Sequence, residues 1–237
     1  MKLLGITTST PGSGVALADG LQVVASASRV DRRGHASFVV PAIDFCFDQA
    51  GWSPEDLDAV VVDVGPGLYT GIRVGLATAQ GLAAAVGVPL VPSVSLDAIA
   101  LRAATGRRHI WAVVDVRRGE LAVAGYRPVP GGVVKDGPPE LVSPERFRAL
   151  LESDPDDSLV VGDVAALEPG LLKGLHRVKT GRPRYPQADA VVEIGMGILE
   201  RGEIPHPDEI RPLYLREPDV TINWGAIRPD SPWGNAP

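Results

Sequence analysis

The run AVVVDV, Ala59 to Val64, followed directly by GPGLYTGIRVGL, Gly65 to Leu76, constrains this chain more than any other stretch. Its apolar residues do not alternate with polar ones, so a strand here is covered on both faces. A strand of that kind needs a layer on each side, which points to an α/β arrangement. The glycines and proline that follow turn the chain sharply off the strand. An Ala- and Gly-rich segment from about Thr70 to Val86 then reads as a buried helix.

The surrounding pattern fills in the rest. Lys2–Thr8, Val15–Ala18 and Leu21–Val30 read as strands, with turns at Pro11–Gly14 and Asp19-Gly20. A helix is expected from about His35 to Ala50, and Ser53-Pro54-Glu55-Asp56 opens a short helical turn. Pro89–Ser93 reads as a strand, and Ser95 as the cap of a helix through Ala103. The second half begins with the same beat, a hairpin of Ile110–Val116 and Glu120–Tyr126 around Arg117-Arg118-Gly119. Arg127–Pro144 reads as a Pro- and Gly-rich loop, Pro144–Glu152 as a helix, Leu159–Val161 as a strand and Ala188–Arg201 as a helix. Two hairpin-led halves predict two similar α/β lobes with mixed sheets, residues 1–103 and 104–216. The tail, residues 217–237, reads as extended or disordered.

Bulk properties exclude some functions. A formal charge of -6 over 237 residues opposes a strong electrostatic hold on nucleic acid by this chain alone, though not action on nucleic acid within a complex. The single cysteine, Cys46, excludes an intramolecular disulfide and a Cys-rich metal site. It lies in an apolar helical pattern and reads as a buried bystander thiol. Val74–Val91 is nearly all apolar, but Thr78, Gln80, Gly87 and Pro89 interrupt it, so it reads as a buried helix and strand rather than a membrane span. The first residues read as a strand rather than a signal peptide, and a cytoplasmic protein with no membrane partner is expected.

The glycine-rich corner fails as a phosphate cradle. A P-loop requires Lys after its last glycine, and Ile72 follows Gly71. A dinucleotide fingerprint requires an acidic residue about twenty positions on, where Val91 stands. The corner reads instead as a device that positions a helix. Thr70 is the expected cap. Gly71 and Gly75 bare one helix face for a second backbone, at a cost of about 1 kcal/mol each relative to Ala. Arg73, poorly placed against the helix dipole, is expected to meet a carboxylate or a carbonyl.

The segment HASFVVPAIDFCFDQAG, His35 to Gly51, has too little polar surface for an ordinary surface helix. One stripe is Phe38, Ala42, Phe45 and Gln49, with Val39 and Cys46 beside it. Another is Val40, Ile43, Phe47 and Ala50. Only Ser37, Asp44 and Asp48 are polar, with Pro41 on the same strip. Such a helix is either sandwiched within its own fold or turned on one side toward a second protein, and the residues leave both open.

No catalytic constellation emerges. His35, His109, His176 and His206 form no i, i+3 or i, i+4 pair, and GxSxG is absent. Asp63, Asp115 and Asp163 stand at or near strand ends, where both cleft carboxylates and turn formers occur.

These residues together resemble the TsaB (YeaZ-type) family of the bacterial tRNA threonylcarbamoyladenosine machinery. The family hallmark, close to GPGSFTGLRIGL, is matched by Gly65, Pro66, Gly67, Thr70, Gly71, Arg73, Gly75 and Leu76, with Leu68 and Tyr69 in place of Ser and Phe. AQGLAAAVGVPLVPSVSLDAIA, VVDVRRGELAVAGY and PLYLREPDV fit as well. The resemblance implies a two-lobed actin/Hsp70/sugar-kinase-like (ASKHA) fold. It also implies a non-catalytic subunit that activates a TsaD-type transferase, with a TsaE-type ATPase in the assembled complex, a homodimer when alone, and tRNA met only indirectly. The implied interface comprises His35, Phe38, Val39, Ala42, Phe45, Cys46, Gln49, Val74, Thr78 and Leu82, beside a motif loop of Gly65, Pro66, Gly67, Tyr69, Thr70, Gly71 and Arg73. ATP-binding relatives carry Asp in the first strand where Thr7 stands here. That departure weakens a nucleotide role; Thr7, Asp115 and Asp163 are the residues that would stand beside a nucleotide if one bound, and no cofactor or metal is expected. The alternative readings are an ATP-dependent small-molecule kinase or ATPase of the same fold, and a glycoprotease-like metallopeptidase.

Overall fold

The computed structural model describes residues 1–104 and 106–216; the tail from Glu217 lies outside the described residues. The chain opens with three antiparallel strands, β1 (Lys2–Thr7), β2 (Gly12–Asp19) and β3 (Gln22–Val30). Helix α1 (His35–Ala50) follows, then β4 (Ala59–Asp63), α2 (Tyr69–Val86), β5 (Leu90–Ser93) and α3 (Ser95–Ala103). The second half contains β6 (His109–Asp115), β7 (Leu121–Val129), β8 (Gly132–Lys135), β9 (Glu140–Val142), α4 (Pro144–Ser153), β10 (Ser158–Gly162), β11 (Val178–Thr180) and α5 (Ala188–Arg201).

The first sheet has the order β3-β2-β1-β4-β5, with β4 and β5 parallel to β1. The second has the order β8-β7-β6-β10-β11, again three antiparallel strands followed by two parallel ones, with β9 on the side of β7. One wiring is thus used twice. It is the two-lobed, mixed-sheet arrangement of the actin, Hsp70 and sugar-kinase class.

Alternation sorts each central strand between two helical layers. Leu4, Ile6, Val60 and Val62 face α1 and α2, while Leu3, Ala59 and Val61 face α5. Gly5 lets α5 lie close, because a Cβ there would sit 2.6 Å from Val192 Cγ2. Helix α3 covers one face of the second sheet through Leu96, Ile99 and Ala100, and also touches α5. Phe147 and Leu151 of α4 cover the other face. Helix α5 falls within the span expected for the second lobe, yet it packs on the first sheet, and Ile210 and Leu213 return there too.

Several local expectations are corrected. The stretch Arg127–Pro144 is not a plain loop, since it carries the end of β7 and all of β8 and β9: β8 folds straight back on β7 in a hairpin with Val129 opposite Gly132, and β9 pairs with the start of β7. Strand β11 was not legible either. Helix α2 begins at Tyr69 with Leu68 in the cap position and no side-chain cap bond, so Thr70 does not cap it. Ser95 is the first residue of α3 rather than its cap, because its hydroxyl is used elsewhere.

Candidate functional site

The glycine corner is built around one buried carboxylate. Asp63 closes β4 and is fully buried. Its oxygens accept hydrogen bonds from Thr7 Oγ1 at 2.7 Å, Ser9 Oγ at 2.5 Å, Ser95 Oγ at 2.6 Å and the Gly65 amide at 2.9 Å. Burial pushes the Asp63 carboxyl above its usual range, and the four donors pull it back. Asp63 thereby ties the ends of β1 and β4, the start of α3 and the motif loop into one knot. Thr7, one of the three residues that would stand beside a nucleotide, has its hydroxyl spent on this bond.

The motif glycines let α2 approach the turn after β1. A Cβ on Gly67 would lie 2.0 Å from Ser9 O, one on Gly71 2.0 Å from Thr8 O, and one on Gly75 2.4 Å from Thr8 Oγ1. The second backbone that the bare face accommodates is therefore the chain's own, and Thr8 Oγ1 donates to Gly71 O at 2.6 Å. Among the described residues, Arg73 meets neither carboxylate nor carbonyl. Its Nε donates to Tyr214 Oη at 2.9 Å, and its guanidinium lies 3.9 Å from the Tyr69 ring centroid. Tyr69 and Tyr214 stack at 5.0 Å. A phenol and two ring faces replace the expected anion.

Helices α1 and α2 pack side by side on the first sheet and present a joint outer face. His35, Val39, Ala42 and Cys46 point into the chain's own core, so they form the floor of that face rather than its surface. Burial lowers the His35 imidazole and pushes the Cys46 thiol up to about 11. His35 Nδ1 lies 2.8 Å from Ser13 Oγ. On the outside, Phe45 is 50% exposed, with Gln49 open to solvent and Phe38, Val74, Thr78 and Leu82 half-buried; Val40, also exposed, lies on the other stripe of α1. Arg73 is the one charged residue of α2. Such a surface is better suited to another protein than to water.

The interlobe cleft collects the ends of β1, β4, β6 and β10. Asp163 follows β10 and is buried, with Arg184 Nη2 3.6 Å from its Oδ1; burial raises its carboxyl against the field of Arg184. Asp115 accepts from the Arg117 amide at 2.8 Å, as a hairpin-turn former does. A cavity of about 260 Å³ lies between Gly67, Tyr69, Arg117, Leu141 and Tyr214. Among the described residues, no three His, Cys, Asp or Glu side chains converge as a metal site, and no helix is long and apolar enough to cross a membrane.

Comparison with known proteins places this geometry. A family model described as TsaD, tRNA N6-adenosine threonylcarbamoyltransferase, matches residues 22–157. An uncharacterized protein of Mycobacterium tuberculosis H37Rv is 33% identical over 223 residues, covering 92% of this chain and 93% of the relative. The tRNA threonylcarbamoyladenosine biosynthesis protein TsaB of Escherichia coli K12 is 28% identical over 220 residues, covering 91% of this chain and 95% of the relative. The solved structure of YeaZ from Pseudomonas aeruginosa superposes with a TM-score of 0.77 at 26% identity, covering 90% of this chain and 99% of that one. The chain belongs to the TsaB (YeaZ-type) family.

Within the TsaB family hallmark, the Asp63 knot and the Thr8–Ser9 turn give the motif its physical content. Each motif glycine is fixed by contact with a backbone or side chain of the same chain. The sequence had flagged Asp63 only as a strand-end carboxylate. Thr8 and Ser9 carry no signal, Ser95 reads in the sequence only as a helix cap and Tyr214 only as part of PLYLREPDV, since isolated hydroxyls acquire meaning only when the fold brings them together.

Proposed function

We propose that this TsaB-family chain acts in tRNA threonylcarbamoyladenosine biosynthesis as a non-catalytic subunit that binds and activates a TsaD-type transferase. The relatives named for that pathway support the role. The observation that carries the partnership is the outer face of α1 and α2. Phe45 is half exposed, and Phe38, Val74 and Leu82 are only partly buried, which leaves apolar surface that the monomer does not cover. The same face accounts for a homodimer when the transferase is absent. A TsaE-type ATPase would join through the transferase, and the formal charge of -6 fits contact with tRNA only through the complex.

The test is co-purification with the TsaD homologue of the same organism, together with tRNA modification assayed with and without this chain. Phe45→Asp is expected to weaken pairing by at least about a hundredfold, as loss of a central aromatic anchor does, while leaving the unfolding midpoint near that of the parent. Undiminished pairing would reject the face. The kinase or ATPase reading predicts ATP binding that is lost with Asp115→Asn or Asp163→Asn. The metallopeptidase reading predicts metal in the purified protein. No specific observation favours either over the docking face.

A further inference from the structure

Strand β3 ends the first sheet, so one side of its backbone meets no strand among the described residues. Sheet edges of this length are normally blunted by charges, proline or a covering element. Across Gln22–Val30 the only charge is Arg29, whose guanidinium is paired with Asp31, and there is no proline. The one irregularity in the β2–β3 register lies near the start of β3, between the Leu17 and Ala18 pairings, and leaves Ala25–Val30 regular. Leu21 is 68% exposed, Val30 69% and Val40 51%, and Val23 and Val24 are exposed as well. None of these side chains belongs to the α1–α2 docking face.

We propose that the β3 edge is a self-pairing face, on which a second copy of this chain adds its own β3 antiparallel about a two-fold axis at Ala27. Such a contact must be self-complementary, and Val24-Ala25-Ser26-Ala27-Ser28-Arg29-Val30 reads nearly the same in both directions from Ala27. The axis sets Ser26 opposite Ser28 and Ala25 opposite Arg29, and Val30 of each copy meets Val24 of the other. Small residues fill the middle of the seam and apolar pairs close its ends. Beyond the strand ends, the exposed Arg32 and Arg33 come beside the exposed Asp19 in the other copy's β2–β3 turn, so the charges are complementary too. The helical layer fits the same axis. Helix α1 lies across β2 and β3 and α2 over β4, so the flank of α1 away from α2 overlooks the edge. Val40, on the stripe opposite Phe45, stands on that flank. Two copies joined at β3 set their α1 helices two strand spacings apart, about 10 Å, which is the interaxial distance of packed helices. Val40 is then covered, while the Phe45 stripe stays open. The inference is independent of the α1–α2 docking face.

The test is sedimentation velocity on the full chain carrying Phe45→Asp, which silences the α1–α2 face. That variant is expected to dimerise as its concentration rises. In the parent chain, amide exchange over Ala25–Val30 should slow by about tenfold or more over the same concentration range. Ser26→Lys with Ser28→Lys sets like charges opposite each other in both halves of the seam, and should weaken the dimer by at least about tenfold. Ser26→Lys with Ser28→Glu sets opposite charges there and should restore it. Both pairs replace exposed side chains, and unfolding midpoints near that of the parent check that the fold is kept. A Phe45→Asp chain that stays monomeric up to millimolar concentration, with exchange along β3 indifferent to concentration, overturns the proposal. A dimer that ignores the lysine pair lies on another face and overturns it as well. Edge protection that needs the TsaD homologue assigns the edge to that partner, with the same consequence.

Discussion

At the scale of single residues, buried carboxylates hold this molecule together. Asp63 gathers four donors from four segments, and Asp154 does comparable work at the far end of the second sheet. Asp154 Oδ2 accepts from Trp111 Nε1 at 2.7 Å and Ser158 Oγ at 2.8 Å, with His109 Nδ1 at 2.6 Å, while its Oδ1 accepts from the Asp156 amide at 3.0 Å. Burial alone would raise the Asp154 carboxyl, but these bonds together hold it down at about 2. Its folded value lies below its unfolded one, so its contribution is complete above about pH 4 and is lost as pH falls through about 2. The difference corresponds to roughly 2 kcal/mol. Asp154→Asn is expected to lower stability by about that amount at pH 7 and to flatten the acid limb of the stability curve. Denaturant unfolding at a series of pH values from 7 to 2 checks both. None of this was legible in the sequence, because Asp154 resembles any polar residue at a helix end until Trp111, His109 and Ser158 are placed around it.

At the scale of elements, α2 separates two uses of glycine that look alike in sequence. Gly71 faces the Thr8 carbonyl at a distance no Cβ can share, whereas a Cβ on Gly81 would meet nothing within 4 Å. Gly81→Ala should therefore stabilise the protein by up to about 1 kcal/mol through helix propensity. Gly71→Ala should destabilise it by about 2 kcal/mol despite the same propensity gain, because α2 must move off the β1–β2 turn. Paired thermal unfolding of the two variants checks the contrast. The helix itself, its proline- and glycine-led entry and the buried strand before it were legible, since local periodicity dictates them. Its cap and the partners of Arg73 were not. Leu68 caps without a side-chain bond, and Tyr214 lies 141 positions beyond Arg73.

At the scale of the whole molecule, the chain crosses back on itself. Helix α5 and residues 210–213 cover the first sheet, although they follow the second in sequence. Residues 1–104 expressed alone would leave Leu3, Ala16, Ala18, Ala59 and Val61 without their α5 layer. That fragment is expected to show no cooperative unfolding transition by calorimetry, while the full chain does. Independent melting of the fragment would mean that the first lobe closes its core without α5.

The sequence by itself determined the strand and helix types, the two-lobed mixed-sheet class and the family, because apolar periodicity and the glycine hallmark are local and survive without coordinates. It also marked α1 as a helix with more apolar surface than one packing face consumes. Only the tertiary structure decided which of those side chains the monomer keeps. Val39 and Cys46 went to the core while Val40 and Phe45 stayed outside, because the rotation of a helix about its axis is set by what it packs against. The tertiary structure likewise joined Asp63 to Thr7, Ser9 and Ser95 and laid α5 on the distant first sheet, since such pairings depend on contacts between residues far apart in the chain.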